Sequence, residues 1–391
     1  MKNIFAASAI LFICSDPVFA KCGDDFKIFL NDLKMEAIEL GHSSQNVETF
    51  FESVSQDQAV LKADRSQGFF QKPFTEFSSR LISNNRLDTA TRNLKKYKFV
   101  FDEIDRKYGI PRGIITAFWA FETDFGSFQG DVNTINALTT LAHDCRRPDL
   151  FRPQIFAAIE LFEKGLFDPK NTTGAWAGET GMVQMLPEDI LQYGIDGDGD
   201  GIIDLKGSAP DALMSAAGML SGLGWQSNQP WLREVSIPNK NFPWQLSGTN
   251  NPLPVSKWLE LGVSPSYGQI ENFEQETYLI APEGHKGPKF LAYPNLLVLT
   301  EWNQSLVYIL TAAYFANILE GSPKLNPGSP TPPLSKNELM RLQTHLSKSA
   351  DVGGIDGILG SKTRAAVQGL QFEINLIPDG WPTVEILRAL K

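Results

Sequence analysis

The chain has 391 residues, with 35 Lys+Arg against 45 Asp+Glu and a formal net charge of -10 at pH 7, a balance that argues against a nonspecific nucleic-acid binder. Hydrophobic residues make up 42% and charged residues 20%, which excludes wholesale disorder and collagen-like structure; at roughly 150 residues per domain the length predicts about two or three domains.

In chain order, the apolar run 4–13 is too short for the roughly 20 residues of a transmembrane helix. Lys2 precedes it, and Val18-Phe19-Ala20 closes it with small residues at the two positions a signal peptidase reads. Residues 1–20 are therefore expected to be a cleaved leader, and its loss removes Cys14 and leaves Cys22 and Cys145. Two cysteines in an oxidising compartment suggest one disulfide. Two buried thiols are the alternative, since spacing does not fix their distance.

Helical periodicity marks residues 25–40, 94–108, 112–121, 134–144, 153–166 and 210–223, whereas period-two alternation is scarce, so the body is read as mainly α. Residues 277–293 read as a hairpin with a long turn. Five of the eight tryptophans lie between Trp225 and Trp302 among many Pro, Gly and Asn residues, which predicts an irregular aromatic-rich insertion. Residues 321–333 hold five prolines, a composition that favours an extended spacer and marks a domain boundary. Beyond it, Ser335 and Glu338 form a capping-box pattern ahead of Leu339, Leu342 and Leu346, and two more short helices, 362–372 and 383–390, complete a small three-helix domain.

Three stretches carry candidate chemistry. Glu122 ends an almost wholly apolar helical segment, with Phe118 and Trp119 at i-4 and i-3 on its face. Aromatic walls strip hydration from a carboxylate, so its pKa is expected to rise and let it act as a general acid. A solvent-facing Glu ending a buried helix is the plainer reading. A glycosidase normally pairs two carboxylates, but Asp124 points about 200° away on a continued helix, so the acid stands alone and help from the substrate is implied. Asp196-Gly-Asp198-Gly-Asp200-Gly201-Ile202-Ile203-Asp204 matches nine positions of an EF-hand loop, with Gly207 where the bidentate Glu would stand; a solvated Asp-Gly turn is the alternative. His143-Asp144-Cys145-Arg146 raises a cysteine transpeptidase, but His143 and Cys145 diverge on a helix and no Gly precedes the thiol. The four histidines are scattered without a zinc-amidase pattern.

Together, Trp119-Ala-Phe-Glu122-Thr-Asp-Phe-Gly126, Gly174-Ala-Trp-Ala-Gly178-Glu-Thr-Gly181-Met-Val-Gln184-Met-Leu-Pro187, and Tyr293-Pro-Asn295 with Trp302-Asn303-Gln304-Ser305 resemble the type-B lytic murein transglycosylases over residues 21–320. Leu342-Gln343, Asp356-Gly357-Ile358-Leu359-Gly360, Thr363, Ala366 and Asp379-Gly380 resemble the three-helix peptidoglycan-binding domain. The resemblance implies a lysozyme-like helical catalytic domain (an N-terminal helical part 21–110 and a core 111–320), a linker 321–333 and a binding domain 334–391. It implies nonhydrolytic cleavage between N-acetylmuramic acid and N-acetylglucosamine, with Glu122 as acid and then base and a 1,6-anhydro product. By the same resemblance Arg146, Arg147, Gln184, Met185, Trp302 and Asn303 are substrate-binding residues.

Trp302 stands where the family often has Tyr and can stack on a sugar or serve as a core residue. Ala175 stands where the family often has Ser. A structural calcium is expected at Asp196, Asp198, Asp200, the Ile202 carbonyl, and Asp204 or Asp211, the last by resemblance; no organic cofactor is expected. The expected partner is the glycan strand, in the periplasm. A hydrolytic muramidase and a noncatalytic wall-binding scaffold remain the rival functions.

Overall fold

A computed structural model describes residues 22–23, 25–66, 72–270 and 272–390; the expected leader, residues 1–20, lies outside them. The described residues contain seventeen α-helices and two small antiparallel sheets, a mainly helical architecture with a lysozyme-like helical body. Two compact units cut across sequence order. One comprises the described residues up to Arg65 with Gly130–Glu179 and Leu186–Glu188; the other comprises Ser66–Gln129, Thr180–Met185 and the chain from Asp189 onward.

In the first unit, helices Phe26–Glu39, Ser44–Phe51, Gln58–Arg65, Thr134–His143 and Pro148–Glu163 pack together, and Val132–Asn133 pairs with Thr173–Gly174. Asp25 caps the first helix by accepting hydrogen bonds from the Lys27 and Ile28 amides, which satisfies donors that a helix start leaves open. The last helix begins at Pro148 rather than at Pro153, because proline is accepted in a first turn, where its missing N–H costs nothing. Cys22 and Cys145 form a disulfide that bridges the start of the described chain to the end of Thr134–His143.

The second unit is built on the helix Arg112–Thr123, with nine of its twelve residues buried. It packs against Leu306–Leu319 and Ala209–Gly222 in one aromatic and aliphatic core. The periodic stretch 94–108 is two helices, Asn84–Lys96 and Lys98–Tyr108, with a break at Tyr97. The aromatic-rich insertion is more regular than its composition predicts. The expected hairpin, Glu276–Ile280 with Phe290–Ala292, is the centre of a five-stranded antiparallel sheet ordered Leu253–Pro254, Glu276–Ile280, Phe290–Ala292, Leu232–Ser236, Ser264–Pro265. Phe242, Trp244 and Trp258 fill a core beneath it, and the Trp258 indole donates to the Thr277 carbonyl.

The C-terminal helices Lys336–Leu346, Ser361–Glu373 and Val384–Ala389 enclose Leu342, Val367 and Ile386, and the capping box at Ser335 and Glu338 is formed. The proline-rich segment is held against the body. The Tyr314 hydroxyl accepts from the Leu325 amide, Glu234 from Asn326, and the Lys286 carbonyl from Ser329. The three helices dock on the insertion as well. Gln368 donates to the Trp244 and Ser247 carbonyls, Arg364 donates to the Pro282 carbonyl, and Asp379 accepts from the His285 amide and ring at 2.9 and 2.5 Å. Gly284 has a φ of +71°, and a Cβ there would stand 2.6 Å from Asp379 and 2.7 Å from Trp381, so glycine permits the contact.

Candidate active site and acidic loop

The helix Arg112–Thr123 ends because Asp124 and Phe125 both take left-handed backbone angles, which turns the chain away immediately after Glu122. The Asp124 carboxylate pairs with the Arg86 guanidinium at 2.9 Å and is committed there. The Thr123 hydroxyl donates to the Met182 carbonyl at 2.6 Å and accepts from the Gly126 amide at 2.9 Å. These two bonds fasten the end of the helix that carries Glu122 to the glycine-rich segment. At Gly181, with φ +80°, a Cβ would lie 2.6 Å from Leu205, so a side chain there would push that segment away.

Two neutral donors converge on one oxygen of Glu122. The Tyr308 hydroxyl donates to Oε1 at 2.5 Å and the Trp302 indole N–H donates to the same oxygen at 3.3 Å. Phe118 stacks on Trp302 with ring centroids 4.5 Å apart, and Trp119 instead packs on Tyr97 and Phe125. Burial pushes the Tyr308 phenol well above its usual range, and the neighbouring Glu122 carboxylate pushes it the same way, so the phenol keeps its proton and remains a donor. The sequence gives no local signal for Tyr308. It stands in an apolar helix 186 residues from Glu122, and only packing of that helix on Arg112–Thr123 brings the pair together.

The expected groove residues separate into groups. Gln184, with a positive φ of 56°, donates from Nε2 to the Gly181 carbonyl at 2.8 Å and to the Gln129 carbonyl at 3.4 Å. Asn303 accepts the Ser305 amide at 2.9 Å. Trp302 meets the acid itself. Met185 is buried in the hydrophobic core beside Val183, because the backbone turn at Gln184 points its neighbour inward; the partly exposed methionine of this segment is Met182. Asn295 is buried and bonds the Gln226 and Gln229 backbone.

In the first unit, Arg146 and Arg147 both pair with the buried Asp64 carboxylate. Each guanidinium is thereby partly neutralised, and Arg147 also lies over the Phe151 ring. Glu179 of the same unit is half-buried, and lost hydration raises its carboxyl above the usual range, with a hydrogen bond from its own backbone amide and the Arg147 charge opposing the shift.

In the acidic loop, carboxylate oxygens of Asp196, Asp198 and Asp211 lie within 4.8 Å of one another. Asp200 and Asp204 do not join them: Asp200 accepts the Ile202 amide, and Asp204 accepts the Lys206 and Gly207 amides. Asp211 is fully buried. Its oxygens accept the Gly197 amide, the Ser208 hydroxyl and the Asp204 amide. This all-oxygen donor set fits a hard cation such as calcium and offers neither His nor Cys for zinc.

The sequence profile described as transglycosylase SLT domain matches residues 25–317. Among solved structures, SltB3 from Pseudomonas aeruginosa in complex with NAG-anhNAM-pentapeptide is 32% identical, with a TM-score of 0.87 over 94% of this chain and 100% of that chain. Membrane-bound lytic murein transglycosylase B from Escherichia coli K12 is 24% identical over 235 residues, 60% of this chain, and the match spans 64% of that relative's length. The Escherichia coli lytic transglycosylase Slt35 in complex with calcium shares the fold, with 20% identity and a TM-score of 0.65 over 78% of this chain and 98% of that chain. With the profile covering most of its length, the chain belongs to the transglycosylase SLT domain family, that of the type-B lytic murein transglycosylases.

Proposed function

We infer that the protein is a peptidoglycan lytic transglycosylase that cleaves the bond between N-acetylmuramic acid and N-acetylglucosamine without water and leaves a 1,6-anhydromuramic end. The observation that carries this reading is the single acid, Glu122, gripped on Oε1 by Tyr308 and Trp302 while its neighbour Asp124 is spent on Arg86. In this reading Oε1 stays an acceptor for its two donors and Glu122 carries the transferable proton. That proton passes to the glycosidic oxygen as the bond from C1 of the muramyl residue breaks, and the carbonyl oxygen of the substrate's N-acetyl group bonds to C1 in its place. Glu122, now a carboxylate, takes the proton from the C6 hydroxyl; O6 then bonds to C1, the acetamido oxygen leaves, and the acid is restored.

Gln184, Trp302 and Asn303 are the residues proposed to line the groove, Asp196, Asp198 and Asp211 to hold a structural calcium, and residues 334–391 to bind the wall. No helix among the described residues is long and apolar enough to cross a membrane, which is compatible with an exported periplasmic enzyme. The relatives support this reading: SltB3 has been crystallised with NAG-anhNAM-pentapeptide and with NAG-NAM-pentapeptide. Mass spectrometry of products from purified sacculi tests it. Anhydro ends are expected, whereas reducing ends would make the enzyme a muramidase and intact sacculi a scaffold.

A further inference from the structure

The second unit contains an open cavity of about 490 Å³ whose wall includes Pro111 and excludes Glu122, Trp302 and Tyr308. Pro111 precedes the helix that carries Glu122 near its other end, and eleven residues at about 1.5 Å each separate the two by about 16 Å. The cavity is therefore distinct from the catalytic groove, and its volume lies within the usual range of small-molecule sites.

Its lining has two chemical characters. The half-buried Trp231 supplies aromatic surface, while Tyr293 is only 2% exposed and closes the wall; the Trp231 indole N–H donates to the Ala313 carbonyl at 3.1 Å, which fixes the plane of the ring. Around them stand the amides of Asn228, Gln229, Gln269 and Asn272. Asn272 donates to Gln229 Oε1 at 3.1 Å; the side chains of Asn228 and Gln269 and the Gln229 amide nitrogen make no hydrogen bond among the described residues. The rim is preformed, because the buried Asn295 holds the Gln226 amide and the Gln226 and Gln229 carbonyls. One cation and one anion complete the lining. Arg233 lies over the Tyr267 ring at 4.6 Å and bonds the Gln269 carbonyl, and Glu320 accepts the Gly113 amide at 2.9 Å. Opposite charges of equal size give no preference for an ionic ligand.

A fixed indole beside planar amides that keep free donors and acceptors matches a neutral ring with apolar C–H faces and hydroxyl and acetamido edges. We propose that this cavity is a second glycan-binding site, for N-acetylhexosamine units. The proposal rests on the reading of the protein as a peptidoglycan enzyme. A preordered rim lowers the entropic cost of binding such a ligand, and a site away from the acid would hold a strand without exposing it to cleavage.

The test is calorimetric titration of full-length Glu122→Gln with tetra-N-acetylchitotetraose, compared with the same protein carrying Gln229→Ala and Gln269→Ala. Both glutamines are surface amides, and an unchanged melting temperature certifies the fold. The expected result is that one binding event is lost, or weakened at least about 10-fold, in the double substitution, while any binding at the groove is retained. No binding, or binding that the double substitution leaves unaltered, overturns the proposal, as does selective binding of a free stem peptide in place of the sugar. Product analysis of the otherwise unsubstituted Gln229→Ala, Gln269→Ala enzyme on sacculi keeps the two readings apart. Anhydro products with an absent second site sink only the cavity proposal, and failure of wild type to cleave sinks the catalytic one.

Discussion

Glu122 and the Asp196–Asp211 loop both depend on carboxylates, yet their surroundings differ in kind. Glu122 meets a phenol and an indole, neutral donors on one oxygen, inside an aromatic wall. The loop gathers three carboxylates within 4.8 Å, supported by backbone amides and one hydroxyl. Neutral donors can orient an acid without supplying a full charge of their own, which suits the acid-then-base role proposed for Glu122. Clustered carboxylates repel, and a cation relieves that repulsion. An acid's surroundings therefore separate a chemical role from a structural one more clearly than its identity does.

The largest effect that tests this contrast is expected from Glu122→Gln. The amide keeps the size and cannot deliver a proton, so cleavage of sacculi should fall by at least about 100-fold while the melting temperature stays near wild type. Residual activity of more than a few per cent, on that rough scale, would remove Glu122 from its role.

The complementary effect belongs to Asp198→Ala. Calcium at about 100 times its dissociation constant should stabilise the unsubstituted protein by about 2.7 kcal/mol, read as a rise in melting temperature that magnesium reproduces poorly. In the variant that rise should vanish while low-temperature cleavage persists. Identical melting with calcium, magnesium and chelator would leave an ordinary acidic turn.

A smaller change is expected from Tyr308→Phe, which removes one donor and keeps the ring. Turnover should drop by about 10-fold, on the scale of one hydrogen bond to a charged group. The alkaline limb of the pH–rate profile should move to higher pH, because the lost donor favoured the carboxylate over the acid. A drop in rate with an unmoved limb would reduce Tyr308 to a packing role.

The smallest effect concerns acid. The Gly201 amide, with those of Gly199, Asp200 and Asp198, holds the Asp196 carboxyl below its ordinary range against the opposing effect of lost hydration. A depressed folded-state value gives stability that is present above the unfolded value and is lost as pH falls through the folded one. In chelator, Asp196→Asn should therefore lose a little stability at neutral pH and flatten the acid end of the stability curve, the two proteins converging as pH falls through the folded value. Stability curves that keep a constant separation from acid to neutral pH, or that superimpose throughout, would show that the loop's amides contribute nothing measurable to the acid dependence.

Much of this site was legible along the chain. The helix ending at Glu122, the aromatic residue one turn back and the alternating aspartates are local patterns, and local periodicity reports them well. What was not legible came from tertiary pairing. Tyr308 carries no motif and reaches Glu122 from another helix. Asp204 and Asp211 were both open as loop ligands, and local spacing could not show that the Asp204 side chain folds onto its own turn while its amide serves Asp211. Arg146 and Arg147 were placed near the groove by resemblance alone, and nothing near them in sequence signals Asp64, which pairs with both from 82 and 83 residues earlier. Likewise the tryptophans of the insertion look like loop residues in sequence because the five-stranded sheet above them is made of short strands that, apart from the central hairpin, pair out of chain order.

The docking of the C-terminal helices has a mechanical consequence. A slack tether would absorb a pull on its far end by straightening. Here the proline-rich segment is bonded along its length, and the Trp381 indole N–H donates to the Thr331 carbonyl at 2.8 Å. Tension applied beyond residue 334 is therefore carried at once by His285–Asp379, Arg364–Pro282 and Gln368–Ser247, and through them by the sheet, so that the first rupture under load is the detachment of this interface and slack in the linker appears only after it.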